Sequence, residues 1–427
     1  MKRIVDKGKT LLVDGPASVI ILSGEVEVLG APLKTGVKVI IREGKRIPIE
    51  IKEKAKFDLA LGEKAAVTEV EGNTIPVSWE KAADEVLHRE KPVTVMVVGG
   101  VDSGKTSFCA YLANRALKKR LNAAIIDADL GQSDVGPPST IGSCRLTEPI
   151  IDPFEISAES ICFIGVTSPS GAMSKVIEGI EGMKEKVLKR GVGVLIINTD
   201  GWIEGEDAVR YKVALAKQIK PNFLVGIQEK GELTFLLGAL TETQKLVVES
   251  SSAVRKRDHE ERKLLRELGY KKYLKGARTE SFPLRWTWVG YVAFGTGVPS
   301  SYERMGKIEE LLGATPLYCE EMPTFVFIVL DREQWVDEEL MKDLEQKLNK
   351  KVRVVREGDE EGLLLALHDV KDNFLGIGVV EGIDYERRVV RVYTPVREGV
   401  ASLHLGRVKL DKKGREIGLS DVFTDYE

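Results

Sequence analysis

Over roughly the first 85 residues apolar and polar positions alternate in short bursts. Val19-Ile20-Ile21-Leu22, Glu25-Val26-Glu27-Val28-Leu29, Val37-Lys38-Val39-Ile40-Ile41 and Ile47-Pro48-Ile49-Glu50-Ile51 sit between glycine-containing turns. Short strands at this spacing predict a small β-sandwich or barrel over residues 1–85. Ser78 to Lys91 is charged and helical in period, as a connector would be. The rhythm then changes. Val93 to Val98, Ala123 to Ile126, Ile161 to Ile164, Val192 to Ile197 and Phe223 to Ile227 are apolar runs separated by helical patterns. Strands alternating with helices predict an α/β domain over residues 91–280, built on a doubly wound, mostly parallel sheet. Ligands of such sheets sit at the carboxyl ends of the strands, so residues just after each run are the ones to question. Residues 281–427 turn strand-rich again, with one helix near Asp337 to Lys350, and predict a C-terminal α+β or β-rich domain without a catalytic motif.

The first apolar run ends in Gly99-Gly100-Val101-Asp102-Ser103-Gly104-Lys105-Thr106, a complete G-x-x-x-x-G-K-[ST] phosphate loop, and a helical pattern follows from Ser107 to Arg120. Strand, glycine loop and helix in this order give the motif a mechanism. Loop N–H groups and the helix N-terminus surround anionic phosphates, Lys105 adds a fixed positive charge, and the Thr106 hydroxyl is a ligand for Mg²⁺. The expected ligand is ATP with Mg²⁺ or another divalent cation such as Mn²⁺.

The second run of the α/β region ends in Asp127-Ala128-Asp129-Leu130-Gly131-Gln132. Residues two apart in extended chain face one side, so both carboxylates are expected at the site. One would hold Mg²⁺, directly or through water, and the other would accept a proton; capping of the following turn is the alternative for either. The third run ends in Gly165-Val166-Thr167-Ser168-Pro169-Ser170, a small-residue turn suited to close approach by a substrate. The fourth ends in Asn198-Thr199-Asp200-Gly201-Trp202, where the indole is either a stacking platform for a nucleobase or a core residue. Asp200 competes with Asp127 and Asp129 for the metal. Between Arg255 and Tyr273, Arg255, Arg262 and Arg266 fall on one helical face by spacing, as a lid over a triphosphate or as a solvated surface.

Net charge is −3 and pI about 6.1, so no global basic field marks a nucleic-acid binder. The 30% charged content with 13 Asn plus Gln residues is typical of thermophile proteins. Cys109, Cys144, Cys162 and Cys319 form no C-x-x-C pair, and His88, His259, His368 and His404 show no metal-ligand spacing along the chain. Met1 to Asp6 lacks the apolar core of a signal peptide and no run approaches a membrane span. A reduced, cytoplasmic protein without membrane contact is the expectation.

In combination these segments resemble the RNA 5′-hydroxyl kinases related to the kinase subunit of eukaryotic pre-mRNA cleavage and tRNA-splicing complexes, and most closely the archaeal polyribonucleotide 5′-hydroxyl kinases. The loop, the D-x-D-x-G-Q and N-T-x-G-W elements and the following arginine helix carry the resemblance, which covers the central domain. It implies a P-loop kinase domain between a small N-terminal β domain and a C-terminal domain. It further implies ATP-dependent phosphorylation of RNA 5′-OH ends, with DNA ends as a second acceptor class. Lys105 and Thr106 would hold the triphosphate and metal, with Asp127 supporting the metal. Asp129 would be the base for the 5′-hydroxyl, and Lys105, Arg262 and Arg266 would complete the catalytic set. Substrate contacts would come from Gln132, Thr167, Ser168, Trp202 and Arg255, with Trp202 on the terminal base. The lid departs from the family pattern: related chains place two arginines four apart earlier in the helix, where this one has His259, Glu260 and Glu261, and Arg262 and Arg266 keep the four-residue spacing in a shifted register. The rival readings are an ATP-binding scaffold subunit of an RNA-processing complex without kinase activity, and a switch-type P-loop ATPase. Intact Lys105, Thr106, Asp129 and Trp202 weigh against the first. Trp202 and the arginine helix weigh against the second.

Overall fold

The early alternation becomes two antiparallel sheets packed face to face. In the computed structural model, which describes residues 1–241, 243–284, 288–290 and 297–420, one sheet runs Lys2–Val5, Ala55–Leu61, Ala17–Ser23, Lys38–Ile41 in spatial order. The other runs Ala31–Leu33, Val26–Val28, Arg46–Ile51, Lys9–Asp14, Ala66–Glu71. Every second residue points inward, so Val19, Ile21, Val39, Ile41, Ile47, Ile49 and Phe57 share one core. The turn Arg42 to Lys45 carries the chain from the first sheet to the second.

The middle of the chain forms a seven-stranded sheet. Its elements are β1 (Val93–Gly99), α1 (Lys105–Lys118), β2 (Ala123–Ala128), β3 (Thr140–Leu146), β4 (Ser160–Phe163), α2 (Met173–Leu188), β5 (Val194–Thr199), α3 (Glu206–Ile219), β6 (Phe223–Gln228), β7 (Gln244–Glu249) and α4 (His259–Tyr273). The spatial order is β4-β3-β2-β5-β1-β6-β7. The pairs from β2 to β7 are parallel, while β3 and β4 add antiparallel at one edge. Val93, Val95, Val97, Ile125 and Ile196 face a core closed by helix Val77–His88 and α1. The alternate residues Met96, Val98, Ile126, Leu195 and Ile197 are equally buried. Burial on both faces is why these strands read as unbroken apolar runs.

Two strands depart from the sequence reading. The Ile161 to Ile164 run is an antiparallel edge strand rather than a third parallel one, and β3, which precedes it, carries Thr140, Gly142, Ser143 and Arg145 and gives no apolar run to read. The chain divides into two compact units, Met1–Gly269 and Tyr270–Glu427, with the boundary inside α4. The second unit holds a mostly antiparallel sheet that includes β8 (Leu363–His368), β9 (Phe374–Asp384), β10 (Val389–Thr394) and β11 (Ser402–Leu410), and a smaller sheet covered by helices Tyr302–Leu312 and Glu338–Leu348. No helix among the described residues is long and apolar enough to cross a membrane.

Candidate active site

A cleft of about 750 Å³ opens at the carboxyl ends of β1, β2 and β5. The phosphate loop forms its floor: Gly100 to Thr106 line it, while Gly99 sits beneath as the last residue of β1. Gly104 caps α1 in the left-handed region, at φ 98°, where a side chain would be strained. The Lys105 ammonium lies against the loop carbonyls of Gly99 and Gly100, at 3.0 and 2.8 Å. Gly201 packs directly on the loop, since a Cβ there would fall 2.7 Å from Val101 Cγ2 and 2.9 Å from Val101 N. That contact sets the end of β5 against the phosphate loop.

The two acids after β2 separate. Asp129 is half-buried on the cleft wall; its Oδ1 accepts from the N–H groups of Gly131 and Gln132 at 3.2 and 3.0 Å, and Oδ2 has no hydrogen-bond partner among the described residues. Burial raises its carboxyl above the ordinary range, opposed by Lys105 and assisted by the Asp200 charge. Asp127 does not line the cleft. It is 2% exposed, and both oxygens are filled: Oδ2 by the N–H groups of Asp134 and Val135 at 2.7 and 3.1 Å, Oδ1 by Asn198 Nδ2 at 2.9 Å and Asp129 N at 3.3 Å. Burial, with the Asp134 and Asp129 carboxylates nearby, pushes it up to about 7. The expectation that period-two geometry brings both carboxylates to the site is thereby corrected, because the strand ends at Ala128 and the chain turns between the acids. Asp127 reaches the metal-ligand candidate Thr106 only through Asn198, whose Nδ2 lies 3.3 Å from Thr106 Oγ1.

Trp202 is half-buried on the cleft wall rather than in the core. Its indole lies over the Tyr211 ring with centroids 6.0 Å apart and planes 23° apart, and the Trp202 backbone N–H donates to Asp200 Oδ1 at 2.9 Å. Asp200 also accepts from Lys212 Nζ at 2.7 Å and from the Tyr211 hydroxyl at 3.2 Å, so it anchors the Trp202 turn. Lys212 is fully buried, which lowers its pKa against the raising effect of Asp200. Gln132, Thr167 and Ser168 line the same cleft, and Gln132 Nε2 donates to the Arg262 carbonyl at 3.0 Å.

The arginines are arranged differently from a single helical face. α4 begins at His259, so Arg255 lies in the extended strap before it, paired with Glu261, while Arg262 and Arg266 project from the helix to the cleft. Arg257 is a residue that helical spacing missed. Its guanidinium donates to Asp102 Oδ1 at 2.6 Å and its backbone N–H to Asp102 Oδ2 at 2.8 Å, and its Nε reaches the Gly44 carbonyl at 2.9 Å. The N-terminal sandwich also contributes to the wall through Arg42, Lys45 and Arg46. Arg42 lies over Phe154, 3.9 Å from the ring centre, and bonds Asp134 and Asp152, while Lys45 sits 3.2 and 3.3 Å from the same two acids. Although burial opposes ionisation of Asp152, Lys45 and Arg42 hold it well below the usual carboxylate range. The pairing of residues 42 and 45 with 134 and 152 is invisible to any local pattern.

Residues 99–276 match the family model described as mRNA cleavage and polyadenylation factor CLP1 P-loop. The polyribonucleotide 5′-hydroxyl-kinase of Pyrococcus furiosus is 27% identical over 355 residues, covering 81% of this chain and 96% of its own. A CLP1 homolog from Nematostella vectensis is 26% identical over 294 residues, covering 63% of this chain and 67% of its own. Among solved structures, the wild-type Clp1p–Pcf11p complex aligns with a TM-score of 0.66 at 15% identity, over 96% of this chain and 97% of the other, which establishes a shared fold. Residues 99–276 thus match the CLP1 P-loop family model, and the chain is a homologue of the archaeal proteins named polyribonucleotide 5′-hydroxyl-kinase.

Proposed function

We propose that the protein is an ATP-dependent polynucleotide 5′-hydroxyl kinase that phosphorylates RNA ends, with DNA ends as a second acceptor class. The observation that carries this reading is the placement of an acid with an open oxygen, Asp129, and a half-buried indole, Trp202, on the walls of one cleft floored by the phosphate loop. Kinase-named relatives that align over most of both chains support it.

The loop N–H groups and Lys105 bind and orient the triphosphate of ATP. The donor set suits a hard divalent cation, since the Thr106 hydroxyl, with the phosphate oxygens of ATP and water, is an oxygen ligand of the kind Mg²⁺ takes. Such a cation would neutralise phosphate charge when bound. Trp202 stacks on the terminal base, with Thr167, Ser168 and Gln132 beside it, and the 5′-hydroxyl is held toward Asp129. Asp129 Oδ2 accepts the hydroxyl proton as O5′ bonds to the γ-phosphorus, and the bond from that phosphorus to the bridging oxygen of ADP breaks. Arg262, Arg266 and Arg257 offset charge on the transferring group and exclude water.

Transfer of labelled γ-phosphate from ATP to 5′-OH RNA and DNA oligonucleotides tests the proposal, with Lys105→Ala as the control that loses transfer. ATP hydrolysis without transfer would favour the switch ATPase instead, and ATP binding without either activity the scaffold.

A further inference from the structure

We propose that the C-terminal sheet carries a transition-metal site made by His368, Asp372 and His404, with Zn²⁺ as the kind of ion it takes. In the antiparallel pairing of β8 with β11, His368 lies opposite Ser402 and Ala366 opposite His404. Residues two apart along a strand share a face, so the two histidines are diagonal neighbours on one face of the sheet. Their ring centroids are 4.3 Å apart, and the residues are 6% and 8% exposed. The protein has four histidines in all, and two of them, separated by 35 residues of chain, converge here.

The third group comes from the turn between β8 and β9. Asp369 is consumed in building that turn, accepting from Lys371 N at 2.8 Å and from Asn373 N and Nδ2 at 2.9 Å each. Asp372 is the turn residue in the left-handed region, at φ 59°. Its Oδ1 lies 3.7 Å from His404 Nε2. One ligand atom from each of the three groups falls within 4.8 Å of the others. Metal–ligand bonds of about 2.0–2.2 Å bring donor atoms to roughly 3.4 Å in a tetrahedral site, a contraction that an exposed turn carboxylate can supply.

Two imidazole nitrogens and one carboxylate oxygen select a borderline divalent ion. Mg²⁺ and Ca²⁺ call for a shell of oxygens, and Cu(I) prefers sulfur. Ser402 Oγ, 3.1 Å from His404 Nε2, would yield that nitrogen to the ion. Bound metal would pin the β8–β9 turn to β11. Without it, the same residues form a polar cluster in which Ser402 is hydrogen-bonded to His404 with Asp372 alongside, which is the competing outcome.

The full-length protein, stripped with chelator and dialysed, is titrated with Zn²⁺ and with Co²⁺ in excess Mg²⁺, which saturates oxygen-only sites. One equivalent of tightly held metal is expected, with Co²⁺ d–d absorption of a nitrogen–oxygen site and no thiolate charge-transfer band. His404→Ala should abolish stoichiometric uptake, Asp372→Ala should weaken it, and the metal-dependent rise in melting temperature should vanish with it. Asp372 is exposed, so its variant folds even if the buried histidine variant does not. Failure of the wild-type chain to retain metal, uptake unchanged in Asp372→Ala and His404→Ala, or a thiolate band would each overturn the site.

Discussion

Asp102, inside the phosphate loop, holds Arg257 at two points, 2.8 Å from its backbone N–H and 2.6 Å from its guanidinium. The strap that leads into α4 is thereby tied to the loop it overlies. Asp102→Ala removes both bonds at once. Hydrogen exchange at the Arg257 amide should accelerate, and stability should fall by ~1.5–3 kcal/mol, the range for hydrogen bonds to charged groups. An unchanged exchange rate at Arg257 would show that other contacts hold the strap.

Trp202 and Tyr211 give a paired test. Trp202→Ala should weaken binding of an oligonucleotide end by ~1–3 kcal/mol with little change in ATP affinity. Tyr211→Phe keeps the ring behind the indole and loses the hydroxyl bond to Asp200. It should therefore retain most acceptor affinity, whereas Tyr211→Ala should lose it together with Trp202. A fall in melting temperature with an unaltered acceptor KM in Trp202→Ala would return the indole to a packing role.

For Asp129, the prediction joins rate and pH. Asp129→Asn should keep ATP binding and lower kcat by roughly 10²–10⁴. The wild-type kcat should rise with pH along a limb set above the usual carboxylate range of about 4, because burial raises this acid and only its ionised form accepts a proton. That limb should be absent in the variant. A variant that keeps both kcat and the limb is incompatible with the base assignment.

Asp127 should behave as a structural acid. Its folded value of about 7 exceeds the unfolded value of about 3.9, so between those limits the folded chain binds the extra proton and stability falls as pH rises. The loss is of order 4 kcal/mol across the window, with no further change above or below it. Asp127→Asn should flatten that slope. Urea midpoints against pH for both proteins measure the difference, and parallel curves would refute it. The Mg²⁺ dependence of kcat should shift in Thr106→Val and stay near wild type in Asp127→Asn.

What could be read along the chain was whatever repeats locally. Five apolar runs announced the sheet because residues such as Ile125 and Leu195 are buried on either face, and the phosphate loop announced its floor. β3 was silent because threonine, glycine, serine and arginine interrupt it, although β2 and β4 pair with it on either side and most of its residues are buried. Period two failed at Asp127 and Asp129 because it holds only while the chain stays extended, and the strand stops between them. Helical spacing joined Arg255 to Arg262 and Arg266 and passed over Arg257, since nothing local showed that the helix starts at His259. Arg42 beside Asp134, and His368 beside His404, are products of tertiary placement, which no window of sequence contains.

The absence of a side chain at Gly201 has a mechanical consequence. With Val101 in direct backbone contact, the turn that carries the base platform and the loop that cradles the phosphates cannot slide past each other. In the proposed reaction, donor and acceptor would be gripped by opposite ends of one short, stiff caliper, whose gap is set when the sheet folds. Reacting atoms must come within about 3–3.5 Å. Arg262 and Arg266 of α4 would then have charge to supply and water to exclude, but no distance left to adjust.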